Sequence, residues 1–250
     1  MTFNPDEKGD ADGIANVITD AVGDSAGIAG VAGLQELCKD ERNKVIEGLR
    51  GKSDRTWHSV YMLNDRGGGR PPWVCENGNA IVTTQPLRGI GLVPFHAQSD
   101  DDRDNDETRG YVHASIRVHG VAIRVYSTHL TGGGEHQAVR RKQINQLIRD
   151  INRENFRGPR VVLGDFNATP EAPEMAPLYR LFKNVGPATP TTSSSIGPCP
   201  PQGERPAKID HIFVSRSIEV SGAYVPSLAD DENPSDGHCP VVADLRVRRE

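Results

Sequence analysis

The chain has 250 residues, 25% of them charged and 36% hydrophobic, a balance that suits a soluble globular protein with room for a sizeable core. A formal charge of -5 and an isoelectric point near 5.9 argue against a protein that holds nucleic acid through bulk electrostatics, because such domains carry an evident basic face. Neither end contains a long apolar run, so neither a transmembrane helix nor a signal peptide is expected.

Met1 to Asn4 reads as a strand stub that stops at Asn4, before Pro5. Ile14, Val17, Ile18, Ala21 and Val22 recur at helical spacing and predict an amphipathic helix ending near Gly23. Gly30 to Leu37 alternates as a short buried strand carrying Glu36, and a polar helix follows over Lys39 to Leu49. Trp57 to Leu63 and Asn79 to Thr84 read as strands, separated by a loop over Asn64 to Pro72 that is rich in Gly and Arg. In the acidic run Asp100 to Glu107, Asp102, Asp104 and Asp106 match the first spacings of a calcium loop. Glu107 stands where that loop needs glycine, so a solvated loop is expected.

Tyr111 to Val118 and Val121 to His129 are β-rich runs joined at His119-Gly120, a hairpin signal. Gly132-Gly133-Gly134 breaks the chain before a helix over Glu135 to Asn152. No Gly-Lys-Ser/Thr follows the glycines, so they read as a turn and not as a phosphate loop. The apolar run Val161 to Leu163 has the composition of a buried strand, and Gly164 follows it where a bare backbone is needed. Side chains on an extended segment alternate, so Asp165 and Asn167 share one side while Phe166 points into packing. Pro177 to Val185 predicts a short helix, Gly186 to Pro206 a long loop, and Lys208 to Ser215 and Ile218 to Val225 two strands. An acidic loop over Pro226 to Gly237 and a closing strand over Val241 to Val247 complete the chain. Helices and strands interleave without a linker, so residues 1–250 are read as one α/β domain.

Cys38, Cys75, Cys199 and Cys239 are spaced too widely for a zinc ribbon or a Cys-x-x-Cys redox motif. Free buried thiols are one reading. The even count also allows two disulfides, with Cys38–Cys75 and Cys199–Cys239 the preferred pairing of the three possible. Bridged cysteines would favour a secreted protein; otherwise the location is open.

Six polar clusters fall at strand ends: Asn4, Glu36, His129, Asp165 with Asn167, Asp210 with His211, and Asp236 with His238. Their repetition points to strand ends that converge on one cleft, where open α/β sheets keep their chemistry. Carboxylates, amides and histidines without a cysteine partner suit a hard oxygen-binding cation such as Mg²⁺ or Mn²⁺. Hydrolysis of a phosphate ester uses the same groups: a metal to neutralise charge, a base for water and donors for the phosphoryl oxygens. Arg109, Arg140 and Arg141 are candidates for phosphate contacts, although solvated arginines are the commoner outcome.

These clusters lie in the motifs Thr-Phe-Asn ending at Asn4, Leu-Gln-Glu ending at Glu36, Ser-Thr-His-Leu around His129 and Gly-Asp-Phe-Asn from Gly164. Ile-Asp-His-Ile-Phe-Val from Ile209 and Ser-Asp-Gly-His-Cys-Pro-Val from Ser235 follow. In this order the chain resembles the endonuclease/exonuclease/phosphatase family over nearly its whole length. The resemblance implies a deoxyribonuclease-I-like α/β fold, a four-layer sandwich of two mixed β-sheets flanked by helices. It implies Glu36 as principal metal ligand with Asn4 beside it, Asp165 to orient or deprotonate the attacking water, Asn167 to hold a phosphate oxygen and His129 to donate to the phosphate. Asp210 would hydrogen-bond His238 and raise its pKa, so that the imidazolium stabilises the pentacovalent transition state, while His211 faces away as packing. Family members have adjacent Asp and His, whereas here Gly237 separates Asp236 from His238. Asp236 is therefore expected as a displaced metal ligand, brought in by a glycine-permitted bulge.

The expectation is a monomeric, Mg²⁺-dependent phosphoesterase, with Mn²⁺ as a possible substitute, that attacks with water and inverts at phosphorus. Nucleic acid is the favoured substrate, ahead of a phospholipid or a small phosphate ester. A non-catalytic binding module on the same fold is the alternative of another class.

Overall fold

The structure is a computed structural model that describes residues 1–5, 9–22, 28–64, 75–104, 107–186, 207–226, 228 and 237–248. Its strands are laid out in two sheets. In the first, β1 (Thr2–Phe3), β2 (Val31–Cys38), β3 (His58–Leu63) and β4 (Asn77–Thr83) stand in the order β1-β2-β4-β3. The second holds β5 (Arg88–Pro94), β6 (Gly110–Val118), β7 (Val121–His129), β8 (Arg160–Asp165), β9 (Lys183–Val185) and β10 (Asp210–Val214), ordered β5-β6-β7-β8-β10-β9. A further pair, β11 (Glu219–Tyr224) and β12 (Val242–Arg246), continues the first sheet, because Thr2 and Val241 exchange both backbone N–H···O bonds at 2.9 Å. Both sheets are mixed, with β1 parallel to β2 and β7 parallel to β8 among otherwise antiparallel pairs.

Alternation along the strands decides how these sheets stack. On β8, Val161 and Leu163 face an apolar layer shared with Ile81 of β4, whereas Val162 faces Ile144, Leu147 and Ile151 of α4 (Gln137–Arg153). On β4, Ala80 and Val82 face the opposite way, toward Ile14 and Ile18 of α1 (Ala11–Val22) and Leu49 of α2 (Lys39–Lys52). Four layers follow: α1 and α2, the first sheet, the second sheet, then α4 with α5 (Ala176–Leu181). Each fully buried Leu, Ile or Phe in them contributes about 1.5–3 kcal/mol of transfer free energy. The expected sandwich of two mixed sheets flanked by helices is therefore what the chain adopts.

The hairpin expected at His119-Gly120 joins β6 to β7, and both residues take a left-handed φ, 49° and 86°, as a two-residue type I′ turn requires. Two edge strands differ from expectation. β5, largely exposed, offers no buried alternation to read, and the predicted helix over 177–185 stops at Leu181, where the chain turns to pair as β9 with β10. The acidic run is not a solvated loop. It opens with α3 (Asp100–Asp104), started by a reciprocal cap in which Ser99 N–H donates to Asp102 Oδ2 and Asp102 N–H to Ser99 Oγ, each at 2.9 Å. Asp102 is consequently buried.

Cys38 at the end of β2 is bridged to Cys75, which leads into β4. Closing a sequence separation of 37 residues removes chain entropy worth about 4 kcal/mol on the loop-closure account. Cys239 is also disulfide-bonded, while Cys199 lies outside the described residues.

His211 sits on the helix side of β10 and packs against Phe166 and Phe213, as expected. Its Nε2 lies 3.0 Å from the Ala168 carbonyl, which can only accept, and its Nδ1 lies 3.0 Å from the Asn184 amide nitrogen, which can only donate. The Asn184 amide is oriented by Lys208 Nζ, which donates to its Oδ1 at 3.0 Å. One neutral tautomer, protonated at Nε2, satisfies both partners. Burial, with the Lys208 ammonium adding to it, brings His211 down to about 4, against opposing contributions from Ala168 and the Asp210 and Glu171 carboxylates. The unfolded chain protonates this ring near 6.5 and the folded chain does not, so its contribution is full above pH 6.5 and is lost as pH falls toward 4. In urea titrations, the stability difference between wild type and His211→Gln should shrink by about 3 kcal/mol between pH 7 and pH 4. A difference that does not vary with pH would show that His211 is not held neutral.

Candidate active site

β7, β8 and β10 are in register at one end of the second sheet, where His129 pairs with Asp165 and Asp165 pairs with Asp210. These three residues share the parity of Val125, Leu163 and Ile212, which face the layer between the sheets. Their side chains therefore point into the seam, and His129, Asp165 and Asp210 are 2%, 1% and 0% exposed. The first sheet meets them there. Asn4, one residue past β1, donates from Nδ2 to Asp165 Oδ2 at 3.2 Å.

Glu36 reaches the same place through a bulge. The register of β2 against β4 shifts between Leu34 and Leu37, and Glu36 takes φ 54°. A left-handed glutamate costs about 1–2 kcal/mol, so the neighbouring contacts must hold it. Gln35 supplies them: it accepts from Thr2 Oγ1 and donates to Ser127 Oγ, both at 3.1 Å. Glu36 Oε1 then lies 3.5 Å from His129 Nδ1.

Gly164 lets β8 lie flush against β7. With φ 151°, a Cβ there would stand 1.9 Å from the Thr128 carbonyl oxygen, so no other residue fits. Beyond β8 the chain turns at Asn167, which takes φ 48°. Its N–H donates to Asp165 Oδ1 at 2.8 Å, and its Nδ2 donates to the Leu130 carbonyl at 3.0 Å and lies 3.1 Å from His129 Nε2. Asp165 and Asn167 thus face one site as expected, through a left-handed turn instead of an extended strand. Phe166 points away, edge-on to Phe213.

His238 closes the row, with Nδ1 3.1 Å from Asp210 Oδ2 and Nε2 3.8 Å from Asp165 Oδ2. Burial opposes its charge. The charge and hydrogen bond of Asp210, together with Asp165 and Glu36, outweigh burial and push the imidazole up to about 10. His129 goes the other way: burial, the Arg109 guanidinium and the His238 cation hold it well below the usual histidine range. Burial and the Asp210 charge raise the Asp165 carboxyl, against His238, the Asn167 N–H and the Asn4 amide.

Asp165, Asp210 and His238 bring one ligand atom each to within 4.8 Å of one another. His238, held protonated by Asp210, has no lone pair to offer a metal. The carboxylate of Glu36 and the amide oxygen of Asn4 are hard donors of the kind a divalent cation takes, and crowded buried carboxylates gain from a nearby cation. Asp236 lies outside the described residues; Gly237 beside it takes φ 119°, a backbone that favours glycine.

Two of the three candidate arginines are not solvated. Arg140 is buried and donates to Glu174 Oε1 at 3.1 Å, and Arg109 donates from Nε to Asp102 Oδ1 at 3.0 Å. Arg141 is exposed. Sequence reasoning weighed Asp102 only as a calcium-loop position in a run expected to be solvated, and the signal for its burial was the Ser99-x-x-Asp102 cap.

Among solved structures, the fold is similar to that of an endonuclease/exonuclease/phosphatase from Bacteroides vulgatus, at 19% identity and a TM-score of 0.75 over 99% of this chain and 97% of that one. It is also similar to a mannosyl-6-phosphatase from Bacteroides thetaiotaomicron, at 16% identity and a TM-score of 0.68 over 98% of each chain. A third likeness is to the human Nocturnin catalytic domain with bound sulfate anion, at 14% identity and a TM-score of 0.70 over 99% of this chain and 93% of that one. At such identities these likenesses show the fold. No curated protein sequence matches the chain. The family model matches residues 3–236, and on that match the chain belongs to the Endonuclease/Exonuclease/phosphatase family.

Proposed function

We propose that the protein is a metal-assisted phosphoesterase in which water attacks phosphorus directly, with inversion and no covalent enzyme intermediate. The observation that carries this reading is the in-register row His129, Asp165 and Asp210, closed by His238 and met across the seam by Asn4 and Glu36. Glu36 and Asn4, with Asp236 as a third, would hold Mg²⁺ or Mn²⁺, which supplies neutralisation of the phosphate charge. Asp165, oriented by Asn4 and the Asn167 N–H, receives the proton of the attacking water, and its raised pKa suits a general base. Asn167 and the neutral His129 present donors to the phosphoryl oxygens. His238, kept cationic by Asp210, stabilises the charge that builds up in the pentacovalent transition state.

A compact phosphate ester is the favoured substrate. Among the described residues, Arg109 and Arg140 are engaged by Asp102, Glu107 and Glu174, and the formal charge is -5, both of which weigh against a polynucleotide. One structural neighbour is a mannosyl-6-phosphatase. Nucleic acid is the second reading, supported by the nucleases in the family's name. The Cys38–Cys75 bridge suits an oxidising compartment, which supports secretion.

Two measurements test the reading. With Mg²⁺ or Mn²⁺ present, wild type should hydrolyse bis(p-nitrophenyl) phosphate or a sugar phosphate, and Asp165→Asn should be slower by about 10²–10⁴-fold with an unchanged melting temperature. Equal rates would instead favour a non-catalytic binding module, and nicking of plasmid DNA without turnover of small esters would favour the nuclease. The pH profile of kcat/KM should keep its alkaline limb near the His238 value of about 10. Activity needs this imidazole protonated, so it is lost as pH rises through that value. Asp210→Asn should move the limb down toward 6.5, the ordinary histidine value. An unmoved limb would remove His238 from the mechanism.

A further inference from the structure

Arg109 stands just before β6, and its guanidinium reaches the site. Its side chain is 12% exposed. Nε donates to Asp102 Oδ1 at 3.0 Å and Nη2 pairs with Glu107 Oε2 at 2.5 Å, while Nη1 lies 2.7 Å from Nδ1 and 3.1 Å from Nε2 of His129. A free cation at this position would attract substrate phosphate. Two carboxylates oppose this one guanidinium, so the group as a whole carries a net negative charge and offers no electrostatic gain to an anion. What the fork still does is touch the His129 ring.

The support behind it has the same target. Asp102 Oδ2 accepts from Thr131 Oγ1 at 2.7 Å as well as from the Ser99 N–H. On α4, Gln143 donates from Nε2 to Thr131 Oγ1 at 2.7 Å and accepts the Thr131 N–H at 3.1 Å, and Arg140 donates to the Thr131 carbonyl at 3.1 Å. Thr131 lies two residues beyond His129. One buried polar network thus grips the segment at two points, the imidazole through Arg109 and the following backbone through Thr131. Networks whose polar members are paired in this way are rigid.

We infer that Arg109, clamped by Asp102 and Glu107, is a positioning residue that holds the His129 ring toward the substrate's phosphoryl oxygens and does not itself bind phosphate. This deepens the phosphoesterase reading and rests on it. A displaced donor loses rate even when binding survives, and the loss of an outer support of this kind typically lowers activity about 10–100-fold.

The test compares wild type, Arg109→Lys, His129→Gln and the double variant. Lysine keeps a cation between Asp102 and Glu107, so the fold is retained, but without the planar fork it cannot also reach the ring. Arg109→Lys should lower kcat about 10–100-fold with little change in KM. Because Arg109 acts through His129, the double variant should be no slower than His129→Gln alone. Losses that multiply, or a rise in KM at constant kcat, would make Arg109 a phosphate contact and overturn the inference. A second readout needs no turnover: the His129 Cε1–H NMR resonance, assigned by its absence in His129→Gln, should shift in Arg109→Lys while that of His211 stays. An unmoved His129 resonance overturns the inference. A wild type inert toward every phosphate ester would sink the phosphoesterase reading and leave the resonance to decide the role of Arg109.

Discussion

Two carboxylates, Asp165 and Asp210, are buried opposite each other on paired strands, and much of the surrounding structure exists to make that tolerable. Each buried anion costs several kcal/mol of lost hydration, and the pair repel. Placing them side by side on β8 and β10 is unavoidable once the sheet registers are set by Val161 to Leu163 against Ile212 to Val214. The relief is local: the His238 cation between them, the Asn4 amide and the Asn167 N–H. A hard dication at Glu36 and Asn4 would add to it. The same crowding of buried carboxylates favours any positive charge placed beside them.

Strain in the backbone is confined to the same region. Among the described residues, three non-glycine positions have positive φ, and two of them, Glu36 and Asn167, are at the site. Each is over-determined by its neighbours: Glu36 by the Gln35 bridge between Thr2 and Ser127, Asn167 by Asp165 and Leu130. The Gln35 bridge also ties the first sheet to the second, since Thr2 belongs to β1 and Ser127 to β7. Sheet packing and site geometry are therefore one problem. A change that lets the sheets drift by an ångström would release the bulge that aims Glu36.

How much of this could be read from residues alone depended on how local each cause is. Asp165, Asp210 and His129 were legible because each terminates or begins a strand whose apolar pattern is strong, and alternation then fixes its side, whereas Asn4 follows only a strand stub and was placed by the family resemblance. His211 was legible for the same reason, as the odd member of a buried run. Glu36 was assigned to the site, but the bulge that delivers it was not, since a register shift is a property of two strands and appears in neither alone. β9 and β5 lie at sheet edges, where pairing with one neighbour overrides or replaces any pattern of their own. Asp102 was hidden inside an acidic run whose average chemistry says solvent. The Ser99 cap, Arg109 seven residues later and the Thr131 hydroxyl turn that one acid inward.

The two histidines of the site show why residue type alone could not assign their roles. His129 and His238 flank the same carboxylate, at 3.6 and 3.8 Å from Asp165 Oδ2. What separates them is the second neighbour. His238 has Asp210, an acceptor with a full negative charge, and becomes a cation. His129 is buried beside the Arg109 guanidinium, whose Nη1 lies 2.7 Å from Nδ1, and stays neutral. One site therefore holds an imidazolium and an imidazole at the same pH, the first able to balance charge and the second able to direct a hydrogen bond. That division requires the His238 cation and the Arg109 cation to be separately compensated, by Asp210 in one case and by Asp102 and Glu107 in the other. Removing either set of acids would leave a cation uncompensated beside the row, which is the reason Asp102 and Glu107 bear on the balance of charge there.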